Sequence, residues 1–174
     1  MKYLFLLLSV VLNLFSAELV DVTQKPKAML ESISKHAVKI GSGDASDIYI
    51  FVDPLCKYSR ELMKKIEANK MLQLTNTYYI MLYRLPRLES EKTMQYIYES
   101  NNQKQALLEI MVEEDVVDLE NFKAKESTLQ ALKEIADVAK TLDMTQRPYM
   151  ISFDKGSKYC RVSEGTASCL EELE

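Results

Sequence analysis

The sequence predicts an α/β domain built on a mixed sheet, and three observations carry that expectation. Two continuous apolar, β-rich runs, Ile48–Val52 and Tyr78–Tyr83, enclose a segment with helical spacing, the pattern of a parallel βαβ unit. A later pair of runs, Tyr149–Phe153 and Ser157–Val162, is split by the turn signal Asp154-Lys155-Gly156 and followed by a short helical stretch at 166–173. Between these halves, residues 88–142 read as helical throughout.

The elements follow in chain order. Residues 18–25 look extended and polar, and Pro26 suits the opening turn of a helix over about 27–37, with Met29, Leu30 and Ile33 on one face. Gly41-Ser42-Gly43-Asp44 is a loop by composition. The run Ile48–Val52 has no polar alternation, which suits a strand buried on both faces, and Pro54 ends its ladder. From Cys56 a helix is expected, with Leu62, Met63 and Ile66 inward and Lys57, Arg60, Lys64 and Lys65 elsewhere. Pro86 separates the second strand from the helical block. Within that block the stripe Leu129, Leu132, Ile135, Ala136, Ala139, Leu142 marks the best helix, and Ser127 with Gln130 suggests a capping box. Met94, Ile97 and Tyr98 mark another helix, and 104–112 a further one.

Composition narrows the class. The chain has 174 residues, within the usual span of one domain. Hydrophobic residues are 47% and charged residues 28%, which argues against disorder. A net charge of −4 gives no basic surface for nucleic acid. A single histidine, His36, excludes the common zinc and haem patterns, and no metal or other cofactor is expected. His36 reads as a surface or helix residue, not a base. Lys2, the apolar stretch 3–12 and the small residues Ser16-Ala17 form a secretory signal pattern over 1–17. The alternative is an uncleaved anchor, but the apolar run is short for a spanning helix. Export would place the three cysteines, Cys56, Cys160 and Cys169, where disulfides persist. The expected organisation is a signal peptide over 1–17, an N-terminal extension with a helix over 18–46, and one domain over 47–174.

The chemistry concentrates at Phe51-Val52-Asp53-Pro54-Leu55-Cys56-Lys57-Tyr58-Ser59-Arg60, where a strand ends and a helix begins on a cysteine. Unbonded amides and the dipole at a helix start favour an anion, and the thiolate is the reactive form of cysteine. Lys57, Arg60 and Arg147 are candidate cations nearby. The alternative is a buried structural cysteine. The tyrosines Tyr78, Tyr79 and Tyr83 read as core, and the charged runs Glu89-Ser90-Glu91-Lys92 and Glu113-Glu114-Asp115 as solvated faces.

Asp53-Pro54-Leu55-Cys56-Lys57-Tyr58-Ser59 resembles the Asp-Pro-x-Cys-x-Tyr-Cys signature of bacterial periplasmic thiol–disulfide proteins of the DsbA, DsbC and DsbG type. Arg147-Pro148, followed by strand, turn and strand, matches the place of that family's cis-proline. The resemblance implies a thioredoxin-like mixed sheet with a helical insertion, about 88–142, before the cis-Pro loop. It implies thiol–disulfide exchange of isomerase or reductase type in the periplasm, with Cys56 as nucleophile. Tyr58, Arg147 and Pro148 would meet the substrate, an exported protein with cysteines. A small thiol or a membrane redox partner would be the outside reactant.

Departures from the pattern shape the mechanism. Ser59 stands where the family has its second cysteine, so Cys56 has no internal partner there. A Cys-x-x-Ser site can still form a mixed disulfide, which an outside thiol must resolve. Ser59 is either a helix-surface serine or a hydroxyl that donates to the Cys56 sulfur. Arg147 is either a solvated loop charge or sits beside the cysteine. The strand Ile48–Val52 lacks the buried carboxylate of thioredoxins, and residues 18–46 are too few for the dimerising domain of DsbC and DsbG, so a monomer is expected. Cys160 and Cys169 are expected to pair as a structural disulfide, the other arrangement being that one of them resolves Cys56. The rival function is a non-enzymatic binding or chaperone protein of the cell envelope that keeps the fold and has lost turnover.

Overall fold

The computed structural model describes residues 24–154 and 160–165. Helix α1 (Gln24–Ile33) and a short 3-10 turn (Ser34–His36) lead into strand β1 (Val38–Gly41) and then β2 (Ser46–Val52). Helices α2 (Lys57–Ala68) and α3 (Lys70–Thr75) precede β3 (Asn76–Leu82). The helical block contains α4 (Glu91–Glu99), α5 (Gln103–Leu108) continued by a π turn (Glu109–Glu113), and α6 (Glu126–Thr141). Strands β4 (Tyr149–Asp154) and β5 (Cys160–Glu164) complete the sheet.

The sheet has five strands in the order β1-β3-β2-β4-β5. Strands β2 and β3 pair in parallel, with Ile48 opposite Tyr78 and Ile50 opposite Ile80, and the other pairs are antiparallel. β2 is central and hydrogen-bonded on both sides. Its residues 48–52 are all buried, so every side chain must be apolar whichever face it occupies. Helix α2 crosses back to β3 and buries Ser59, Leu62, Met63 and Ile66, the i, i+3, i+4, i+7 set of one face. Leu30 and Ile33 of α1 join the same core.

Several elements differ from the sequence reading. β1 is not predicted by it. This strand has four residues with the burial alternation Val38 in, Lys39 out, Ile40 in, too short for its period to stand out. It forms an edge of the same sheet as the rest, so the segment before residue 47 contributes directly to the domain. The loop after β1 lies against the α3–β3 junction: the amides of Ser42, Gly43 and Ala45 donate to the carbonyls of Gln73, Asn76 and Thr75. A Cβ on Gly43 would lie 1.9 Å from the Thr75 carbonyl carbon, so glycine is required for that approach. α3 is likewise absent from the reading.

The helical block is not continuous. Residues 114–125 form no helix. Glu114 takes a left-handed φ of 63° and ends the π turn, a conformation that cannot continue a right-handed helix. The expected capping box does not form. Lys125 is the N-cap of α6 without a side-chain cap, and Glu99 of α4 takes over instead. Its carboxylate accepts the Lys125 amide and the Thr128 hydroxyl, both at 2.7 Å, and pairs with the Lys125 ammonium at 2.8 Å. In α6, Ile135 and Ala139 are buried as expected, while Leu129 is exposed. The signal segment 1–17, Lys155 and Gly156 of the expected turn, Ser157 at the start of the expected last strand, the terminal helix at 166–173 and Cys169 lie outside the described residues.

Candidate active site at the start of helix α2

β2 ends at Val52 and the chain turns through Asp53-Pro54-Leu55-Cys56, closed by the Cys56 amide donating to the Asp53 carbonyl at 3.0 Å. Cys56 is the N-cap of α2, with extended φ, ψ of −80°, 123°, and no side chain caps the helix. Its free thiol therefore stands at a helix start with unsatisfied amides, the place where an anion is best tolerated. The sulfur donates to the Arg147 carbonyl at 3.7 Å. The Arg147–Pro148 peptide is cis. The structure thus brings residues 56 and 147, ninety-one positions apart, into contact. Cys56 itself is only 2% exposed, while its neighbours Leu55 and Tyr58 are exposed.

The charges around the thiol are arranged differently from the sequence reading. The Lys57 ammonium points to Glu61 at 3.7 Å on an exposed surface. Arg60 donates through Nε to the Pro54 carbonyl at 2.7 Å and pairs with Glu114, which also takes Lys64. Those contacts hold the Glu114 carboxyl below the usual carboxylate range, the Lys64 hydrogen bond most of all. Arg147 is not a solvated loop charge: it is 3% exposed. Its guanidinium donates to the carbonyls of Tyr83, Met144 and Gln146 and stacks 3.7 Å from the Tyr83 ring centroid. Burial pulls its pKa down, and Tyr83, Asp53 and Cys56 oppose that pull. The cation embedded beside the thiol is Arg147.

Ser59 is not a helix-surface serine either. It is fully buried, and its hydroxyl accepts the Asp53 amide at 3.3 Å. It makes no bond to the Cys56 sulfur. Asp53 is the site residue that the sequence reading missed. The strand 48–52 holds no carboxylate, but the next residue is a fully buried one. An Asp-Pro step reads as a turn signal, and nothing local shows that donors from residues 85 and 90 will enclose it.

Register places the Cys160 backbone opposite Phe153, at the end of β4 away from Pro148. Five residues of strand span roughly 17 Å, and a disulfide needs Cα atoms within about 7 Å. Cys160 is therefore too far along β4 to resolve Cys56. His36 lies elsewhere, with Nε2 2.7 Å from a Glu134 carboxylate oxygen. No group of acidic, histidine or cysteine side chains suited to a metal occurs among the described residues. A groove of about 450 Å³ runs between α6 and the chain after β3, lined by Tyr83, Arg84, Met94, Leu129 and Leu132, and does not include Cys56.

No family model matches the sequence. No curated protein matches it. Solved structures do match. A disulfide interchange protein from Neisseria gonorrhoeae superposes with a TM-score of 0.60 at 14% identity, over 80% of this chain and 94% of that one. The catalytic domain of Proteus mirabilis ScsC gives 0.61 at 16% identity, over 88% and 94%. Pseudomonas aeruginosa DsbA2 gives 0.60 at 11% identity, over 80% and 94%. Identity at this level speaks for architecture, and the architecture is specific: the chain has a thioredoxin-like fold of the DsbA type.

Proposed function

We propose that this chain is an exported thiol–disulfide exchange protein that works through Cys56 as its single nucleophile, on proteins bearing cysteines. One observation carries the reading. A free thiol sits at an uncapped helix start, against the backbone carbonyl that precedes a cis-proline. The likeness in fold to a disulfide interchange protein supports it. The signal pattern over 1–17 supports export to the periplasm.

In the proposed reaction the Cys56 thiolate attacks one sulfur of a substrate disulfide. The substrate S–S bond breaks, a Cys56–substrate S–S bond forms, and the second substrate sulfur leaves as a thiolate and takes up a proton. With Ser at position 59 no neighbouring thiol can expel the substrate. A second substrate thiol, a small thiol or a membrane redox partner must attack the mixed disulfide and release Cys56. Exchange within the substrate is isomerisation and exchange with an outside thiol is reduction. Neither needs a cofactor, because the electrons stay on sulfur. Tyr58 and Leu55, exposed beside the buried sulfur, offer surface to an incoming peptide, and the backbone at Arg147-Pro148 offers it a pairing edge.

The test is intact-mass analysis of the full chain after mixing with a peptide disulfide. The expected result is a mixed disulfide on Cys56 that a small thiol removes, absent in Cys56→Ser. A folded wild-type protein that forms no adduct would overturn the reading. The near-complete burial of Cys56 favours a second one, a binding protein that has kept the scaffold without turnover. That reading expects no adduct but measurable binding of an unfolded polypeptide.

A further inference from the structure

Asp53 stands three residues before Cys56, and each of its polar groups is spent on a different part of the site. Its carbonyl accepts the Cys56 amide at 3.0 Å and so closes the cysteine turn. Its amide donates to Ser59, within the first turn of α2. One carboxylate oxygen accepts the Leu55 amide at 2.9 Å. The other accepts the Leu85 amide at 2.6 Å and the Ser90 hydroxyl at 2.8 Å. Leu85 belongs to the chain leaving β3, and Ser90 is the N-cap residue of α4. Asp53 is fully buried, so its charge is tolerated only because these donors replace water.

Ser90 adds a second, independent sign. Serine at an N-cap ordinarily bonds its own helix, and Ser90 makes no such bond. Its hydroxyl turns to Asp53 instead. The start of the insertion is therefore tied to the turn that presents the thiol, at the expense of helix capping. The same insertion begins beside Tyr83, on which the Arg147 guanidinium stacks.

We propose that Asp53 is a positioning residue for Cys56, whose carboxylate locks the cysteine turn to the start of the helical insertion and so aligns the thiol with the cis-proline edge. The proposal rests on Cys56 being the reacting thiol. Asparagine at this place cannot do the same job. It offers one acceptor oxygen and an NH2 group, so whichever way it is turned, the NH2 opposes the amide of either Leu55 or Leu85. One of the two ties is lost.

The experiment compares two reagents on the full chain: iodoacetamide, which needs only access to the sulfur, and a peptide–glutathione mixed disulfide, which must also align along the Arg147-Pro148 edge. The readout is the ratio of the peptide-disulfide rate to the iodoacetamide rate. Asp53→Asn is expected to lower that ratio about tenfold, the scale of one net hydrogen bond. Ser90→Ala is expected to lower it about threefold, because it removes one of three donors and no helix cap. A purely structural role would change both rates by the same factor, through the unfolded fraction, and leave the ratio unchanged; that result overturns the proposal. Should Asp53→Asn not fold by circular dichroism, Ser90→Ala decides alone, and an unchanged ratio there overturns it equally. If wild-type Cys56 reacts with iodoacetamide but not with the peptide disulfide, the exchange reading itself fails. If wild type and both variants exchange alike, only the positioning role fails.

Discussion

The substitution Ser59→Cys tests how one residue sets the chemistry of this site. Residue 59 is in the first turn of α2, three positions after Cys56 and fully buried. Side chains three apart on a helix lie about 5–6 Å from one another at Cβ, and a disulfide accepts Cα separations of about 4.4–6.8 Å. A second thiol there can reach Cys56 after a small rotamer adjustment. The stability cost comes from the 3.3 Å bond in which the Ser59 hydroxyl accepts the Asp53 amide. Sulfur is a weak acceptor, so the reduced variant should lose about 1 kcal/mol. With a urea m-value of about 2 kcal/mol/M, the unfolding midpoint should fall by about 0.5 M. The functional assay is refolding of reduced ribonuclease with the variant supplied in oxidised form. Ser59→Cys should form a 56–59 disulfide with oxidised glutathione and transfer it to the substrate, and wild type should not. Two results would refute the reasoning. The variant could stay dithiol under excess oxidant while folded, which would mean that residue 59 does not face the sulfur. Wild type could oxidise the substrate as fast as the variant, and another cysteine would then be resolving Cys56.

Three further outcomes follow from the structure. The Glu134 and Glu99 carboxyls are held down at about 2, against an ordinary 4.5, chiefly by hydrogen bonds from His36 and Lys125 respectively. A depressed folded-state value means that the unfolded chain takes up the proton first. The stabilisation is therefore complete above about pH 4.5 and is lost as pH falls toward 2. Urea midpoints measured from about pH 6 down to about pH 3 should decline in wild type and decline less in Glu134→Gln. Gly43→Ala places a Cβ 1.9 Å from the Thr75 carbonyl carbon. It should destabilise by about 2 kcal/mol or more, a fall of about 1 M in urea midpoint, and an unchanged midpoint would show that the loop does not pack there. Arg147→Lys keeps the charge but loses the planar stack on Tyr83 and the fork that reaches three carbonyls. It should cost about 1–3 kcal/mol in urea unfolding, and a neutral result would mean that charge alone holds this residue.

Much of the frame is legible in the residues themselves. The unbroken run 48–52, short, rich in β-branched and aromatic residues and closed by Asp53-Pro54, fits a strand covered on both faces, and it is one. Cys56 after Asp-Pro-Leu marks a strand-to-helix junction, and the spacing of Leu62, Met63 and Ile66 gives the helix its inner face. Each of these signals is local, a matter of one face or one turn, so it survives in the linear order of the chain. The break at 114–125 is half legible: its charges were visible, but the left-handed turn at Glu114 was not.

What only the tertiary structure decided is who touches whom. β1 exists because β3 pairs with it; alone, four residues carry no periodic signal. Glu99 caps a helix whose N-cap residue, Lys125, lies 26 positions later. Arg147 reads as a loop cation until Tyr83 and three carbonyls enclose it. Asp53 reads as a turn residue until donors 32 and 37 positions away make it a buried carboxylate. Sequence patterns report how often a residue faces the core, while burial of a charge depends on which distant donors replace its water. That replacement is settled only when the chain has folded, and so the cysteine was visible from the start while the residues that hold it in place were not.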